Sequence, residues 1–450
     1  MALKVNFVKQ LSKPVNSMTL GVILFFVGSA LYISVEVNFF WLISQTVSSF
    51  LFLFAFYKNV QHRRFKMTHK KYVRAYLFLL YYVMTISCLN AFTLPDIRLI
   101  VAISDEIMMY SFIAFGINLL ALEYCELVRI IKVLLSSSVI VFIFSLGFLD
   151  TNTAMVVSSR NELIRYVRSD SNLHGAYAYQ MSSVSLFVSI FLSIFSIQLF
   201  RRWIFISTAS LGCCVVVALY YSKRATLVEI FAGLFLFFVV HGVISNRFSR
   251  TRRMYFIGVV LGIGVAVVLA MYFLGASGIL LERLLSRFET LDSVDALRNF
   301  SRIYEVKVAW HEAPWRVRIF GGGSLYYHYS GVTGFLTDEL HIGWAKLYLK
   351  GGVVAVFFFV WIFLENFRKA VRCFRRPSFA IGVTLPVFVA LGLSHSTIFG
   401  ARSVASFSVA LSLFLFPALY SLENDSRRIL KARLHQLRTC SSGTCLDKVV

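Results

Sequence analysis

Long apolar runs recur along the chain, separated by short clusters of Lys and Arg. An α-helix needs about 20 apolar residues to cross a bilayer. Twelve such runs can be drawn, at roughly 18–35, 39–57, 72–93, 99–122, 127–148, 179–200, 203–221, 226–244, 255–277, 341–364, 378–398 and 402–421. The fourth is the weakest, because Asp105 and Glu106 interrupt its start. A transmembrane β-barrel would instead alternate apolar and polar residues over segments of about 10 residues, and the chain has no such segments. The pattern predicts an all-α polytopic integral membrane protein with about 12 transmembrane helices. Residues 1–450 form one membrane domain, with no internal repeat and no low-complexity segment.

Composition agrees with this. The chain is 58% hydrophobic and 16% aromatic, with 45 Phe and a mean hydropathy of +0.73, too much apolar surface for a soluble domain. The formal net charge of +23 would suggest nucleic acid in a soluble protein. Here most cations sit in short loops, where they set orientation, so no nucleic-acid partner is expected. The first apolar run, from Met18, is not followed by a small-residue cleavage site and reads as the first span. Among the seven cysteines, Cys440 and Cys445 fall in the tail. No spacing resembles a zinc site, and no metal or cofactor is expected.

Charge sets the topology. Lys58 to Arg74 carries seven cations, and Arg247, Arg250, Arg252 and Arg253 add four. Arg368, Lys369, Arg372, Arg375 and Arg376 make five, and the basic tail at 422–450 holds more. All fall on one side if twelve spans leave both termini in the cytoplasm. The opposite, outer side then receives the loop at 149–178, with Arg160, Arg165, Arg168, Asp170, Asn172 and His174, and a short turn containing Lys223 and Arg224. It also receives a turn around His395 and a large, partly helical loop at 278–340.

That large loop is a charged island containing Arg283, Arg287, Arg298, Arg302, Arg316 and Arg318. The outer side is where topology gives least reason to collect arginines, so an anionic ligand is indicated. Leu280, Leu281, Leu284, Leu285 and Phe288 recur at helical spacing and predict an amphipathic surface helix. A second helix is expected from about Val294 to Glu312, ending before Pro314. Arg298, Arg302 and Glu305 share one of its faces. Two guanidinium forks there suit a pyrophosphate; equally, the face could be solvated and joined by an Arg302–Glu305 ion pair. Gly321, Gly322 and Gly323 either present backbone N–H groups to an anion or form a plain tight turn. No Walker-type Lys-Ser or Lys-Thr follows them. His341, behind Asp338 and Glu339, is either a general base or an interfacial anchor. His174, His311 and His395 are weaker candidates for the same work. Lys223 and Arg224 place two cations at the outer membrane edge, where a lipid pyrophosphate would lie or where the side chains would simply snorkel.

These pieces resemble the O-antigen polymerase and ligase superfamily of bacterial membrane glycosyltransferases. Ser222-Lys223-Arg224-Ala225-Thr226-Leu227 looks like the family's Ser-Arg-small-small-Leu signature. Asp170-Ser171-Asn172-Leu173-His174-Gly175 looks like its Asp/Pro-Asn-hydrophobic-x-Gly segment. Arg302-x-x-Glu305, Trp310, Pro314, Gly321-x-Gly323, His341 and Gly352 follow the order of its long outer loop and the next span. The resemblance implies a multi-helix fold similar to GT-C-type glycosyltransferases. It also implies a bacterial cytoplasmic (inner) membrane location and a polyprenyl-pyrophosphate-linked glycan as substrate, without a metal. Membrane lipid and a chain-length regulator would be its partners. Arg224 and Arg302 would hold the pyrophosphate, and His341 would be the base. Lys223, Arg298, Glu305, Arg160, Asn172, Gly321 and Gly323 would bind substrate. His341 is followed by Ile342 rather than Asn, which favours polymerase over ligase. Readings of another class are a lipid-linked sugar transporter and a partner-binding membrane protein. Scarce mid-span charge speaks against the transporter.

Overall fold

The computed structural model describes residues 13–35, 38–91, 107, 110–147, 301–323, 328–329, 336–337, 340, 343–373, 378–395 and 409–425. These residues are helical apart from connections and one two-residue antiparallel ladder. The helices are α1 Pro14–Val35, α2 Asn38–Gln61, α3 Lys70–Ala91, α4 Tyr110–Ala121 and α5 Tyr124–Gly147. They continue with α6 Ser301–Glu312, α7 Trp315–Phe320, α8 Gly343–Arg372 and α9 Ser378–His395, and end with α10 at 409–425. In the ladder, β1 (His328–Tyr329) pairs with β2 (Leu336–Thr337).

The long helices fall on apolar runs read from the sequence. Among the described residues, two segments, Met67–Asn90 and Gly343–Arg372, are long and apolar enough to cross a membrane. α8 is apolar on both sides. Ala355, Phe358, Phe359 and Ile362 face the core, while Val353, Phe357, Val360, Leu364, Phe367 and Val371 recur as an exposed stripe. Apolar residues all round a helix suit lipid rather than water.

One large core joins α1–α5 with α8–α10, and aromatic residues dominate it. Phe25 meets Phe112 edge-on at 5.4 Å, and Tyr72 packs between Trp361 (5.3 Å) and Phe414 (6.2 Å). Buried amides tie the helices where hydrophobicity alone cannot choose a partner. Asn59 Nδ2 donates to Asn118 Oδ1 at 3.0 Å, and Asn118 Nδ2 donates to the Phe52 carbonyl at 3.0 Å. Asn366 Nδ2 donates to the Leu413 carbonyl at 2.9 Å.

Polar contacts gather several basic segments at one end of the bundle. Arg64 Nη2 reaches both Glu126 oxygens, at 3.1 and 2.9 Å. Lys66 pairs with Asp425, Lys71 meets Glu365 at 2.7 Å, and Arg129 donates to Asn16 at 3.1 Å. Lys369 Nζ donates to the Tyr72 hydroxyl at 2.6 Å. Residues far apart in sequence thus share the end where α3 starts and α8 stops. That juxtaposition is what a common side for these cations requires.

Two features depart from the sequence reading. The run expected at 341–364 is a helix that reaches Arg372 and breaks at Gly352, whose φ of 61° and ψ of −163° are non-helical. After Pro314 the chain forms α7, a helix that the sequence reading omits.

Candidate functional site

The C-terminal half of the island packs onto the first part of α8. Pro314 cannot continue α6, lacking an N–H and clashing with the preceding turn, so the chain turns there and starts α7. Ala309, Ala313 and Val317 bury against Leu340 and Leu349, with Val306 and Ala345 alongside. Arg318 folds back over the end of α6. Its Nε donates to the Ala313 carbonyl at 2.8 Å and its Nη2 to the His311 carbonyl at 2.9 Å. It also lies 5.7 Å from the Trp310 ring centroid. This island arginine is therefore committed to capping carbonyls that the helix end would leave unpaired.

The glycine triplet locks the other side of this unit. Gly321 and Gly323 have φ of 83° and 69°, a left-handed region that glycine enters without steric cost. Gly321 N–H bonds the Val317 carbonyl at 2.9 Å. Gly322 and Gly323 N–H bond the Leu349 and Lys350 carbonyls, each at 2.8 Å, beside the break in α8. α3 supplies the remaining partners. The Tyr82 hydroxyl donates to the Phe320 carbonyl at 2.8 Å, and Asn90 Nδ2 donates to the Gly322 carbonyl at 2.5 Å. A Cβ on Gly321 would lie 2.5 Å from Gly352 N and 2.6 Å from the Lys350 carbonyl oxygen. On Gly323 it would lie 2.8 Å from Ser87 Cα. Two backbones meet here with no room for a side chain between them.

The glycines therefore do something other than present amides to an anion. All three N–H groups bond carbonyls, so the triplet is a close-packed joint. Irregular backbone at membrane depth is tolerated when protein groups satisfy it, and here every pairing just named is internal. Asn90 lies 20 residues beyond Lys70, about 30 Å along α3. The joint is thus at the opposite end of α3 from the cationic cluster.

Glu305 also departs from a solvated face: it is 3% exposed. Arg302 lies three residues earlier, in the first turn of α6. His311 and Arg316 are exposed. Trp310 packs at 5.1 Å on Tyr348, adding an aromatic contact between α6 and α8. His341, Arg224, Lys223, Arg298, Arg160 and Asn172, together with the surface helix expected near 280–288, lie outside the described residues. Sequence reasoning missed Tyr82, Ser87 and Asn90 as partners of the island. Their signal was polarity near one end of an apolar run, which marks a contact without naming what it meets.

The arrangement fixes the backbone that carries Arg302 relative to α3 and α8. Comparison with family models, with curated proteins and with solved structures found no match.

Proposed function

We propose that the chain is a glycan polymerase of the O-antigen polymerase and ligase type. In this reading it is a protein of about twelve spans in a bacterial inner membrane, with both termini cytoplasmic. It joins polyprenyl-pyrophosphate-linked repeat units on the outer face, for O-antigen, capsule or exopolysaccharide. The observation carrying the proposal is the docked island. The helix bearing Arg302 is built onto α8 through a glycine joint, at the end of α3 opposite the Lys66, Lys71 and Lys369 cluster. A loop held this firmly suits chemistry on a fixed substrate better than passage of a solute.

In the proposed reaction, an acceptor hydroxyl oxygen bonds to the donor's anomeric carbon. The bond from that carbon to the pyrophosphate oxygen breaks, and its electrons leave with polyprenyl pyrophosphate. The hydroxyl proton passes to a base, the role assigned to His341. Arg302 and Arg224 hold the pyrophosphate, and their guanidinium groups stabilise its added charge most in the transition state. Glu305, buried on the same helix as Arg302, is assigned to substrate binding with them.

Deleting the chain from its host and analysing lipid-linked and surface glycan tests the proposal. Loss of polymer with single repeat units retained is the expected result. Lipid-linked polymer that never reaches its surface anchor would make the chain a ligase. An unchanged glycan would overturn both.

A further inference from the structure

The cationic end carries a second arrangement, separate from the island. Lys71 sits on α3 and bonds Glu365 of α8 at 2.7 Å; Arg368 approaches the same carboxylate at 4.0 Å. Glu365 is only 14% exposed, whereas Arg368 is 67% exposed. Lys71 also lies 5.8 Å from the Trp361 ring centroid, so α3 and α8 meet at this seam. Lys70 and Arg74 on α3 and Arg372 on α8, within four residues of Lys71 or Arg368 along the same helices, are exposed. Lys369, by contrast, turns inward to Tyr72. Over the two helix ends, 70–74 and 365–372, the exposed cations Lys70, Lys71, Arg74, Arg368 and Arg372 outnumber the one carboxylate, Glu365, by four.

Along each helix, exposed apolar residues accompany these cations. On α3 they are Leu77, Phe78 and Tyr81, and on α8 they are Leu364, Phe367 and Val371. Both stripes therefore carry their cations at the same end. This combination matches a molecule with an anionic head and long apolar chains. A soluble anion would have no use for the apolar part, and a neutral lipid would leave the charge excess unanswered.

We propose that the seam between the start of α3 and the end of α8 binds an anionic phospholipid. Its phosphate sits among Arg74, Arg368 and Arg372, and its acyl chains lie along Phe78 and Leu364. The proposal rests on these helices crossing a membrane, and on their cationic end facing the leaflet where anionic lipids concentrate. Glu365 holds Lys71 in place across the seam.

The full-length chain, purified in a zwitterionic detergent, would be offered phosphatidylglycerol, phosphatidylcholine of the same acyl chains, or glycerol phosphate. Retained lipid would be counted by native mass spectrometry. Wild type should retain phosphatidylglycerol in preference to phosphatidylcholine and ignore glycerol phosphate. Each cation near a membrane surface contributes about fivefold in binding, so Arg74→Gln/Arg368→Gln/Arg372→Gln should lose roughly a hundredfold. The exposed single variant Arg368→Gln should lose about fivefold, which covers failure of the triple variant to fold. Equal retention of the two lipids, equal binding of glycerol phosphate, or an unchanged triple variant would each overturn the site. A carbonate wash of host membranes separates the two readings. Release of wild-type chain by the wash would sink the membrane reading, whereas retention with no lipid preference sinks the lipid site alone.

Discussion

Replacing Gly352 by alanine strikes the joint between the island and α8. The site has φ of 61°, and an L-residue with a Cβ costs about 1–2 kcal/mol in that region. The new Cβ would lie 2.5 Å from the Phe320 carbonyl oxygen and 2.7 Å from Gly321 N. Both are backbone atoms, so no rotamer change relieves the clash and the segment 320–323 must move away. Moving breaks the bonds from Gly322 to Leu349 and from Gly323 to Lys350. Each buried polar group left unpaired costs about 1–3 kcal/mol. The sum is roughly 3–8 kcal/mol against the docked state. Amide hydrogen exchange on the purified chain reads this directly. At the lower limit, exchange at Gly322 and Gly323 should rise by more than about 100-fold, while the core part of α3 near Tyr72 and Tyr76 stays protected. Val353→Ala, at the adjacent exposed position, should change exchange little. Equal protection of 320–323 in Gly352→Ala and wild type would refute the joint.

Three further outcomes are expected. Reporter fusions after Gly278 and after Arg376 should give opposite signals, since the Lys/Arg bias places them on opposite sides; matching signals would overturn that topology. Asn118→Ala removes both the acceptor for Asn59 and the donor to the Phe52 carbonyl, and should cost about 2–4 kcal/mol in a denaturant titration. An Asn118→Ala chain as stable as wild type would show that these bonds contribute nothing net. Glu126→Ala removes the Arg64 pair, which is about a quarter exposed on each side, and the acceptor of the Glu123 N–H at 3.0 Å; together these should cost about 1–3 kcal/mol in the same titration.

Helix positions were legible because apolar run length is a direct consequence of the solvent a helix meets. α1, α2, α3, α5, α8 and α9 all overlap runs drawn from composition. Charge bias groups the segments of Lys66, Lys71 and Arg64 but names none of their partners Asp425, Glu365 and Glu126. What stayed hidden were facts about partners. The spacing of Arg302 and Glu305 shows that they share a face, but it does not say that Glu305 is buried. Gly351-Gly352 sits inside an apolar run, where hydropathy reads straight through a break in the helix. Gly321 to Gly323 left open an anion cradle or a plain tight turn, and neither reading names the second stretch of backbone that these glycines meet. Here it is α8. Arg318 looked like a ligand-binding cation, yet its nearest need is the unpaired carbonyls at the end of α6. α7 is only six residues long, too short to produce a periodic signal of its own.

The most direct test of the proposed chemistry uses purified chain with a synthetic polyprenyl-pyrophosphate repeat unit and follows chain growth and release of polyprenyl pyrophosphate. Wild type should lengthen the glycan. Arg302→Ala and Arg224→Ala, folded and in equal amount, should each slow growth by about 100-fold or more. Lysine at either position should restore only part of the rate, because it keeps the charge and loses the planar fork. Arg287→Ala, on the expected surface helix, should do much less. Wild type that never lengthens the donor, or Arg302→Ala and Arg224→Ala variants that match its rate, would contradict the account.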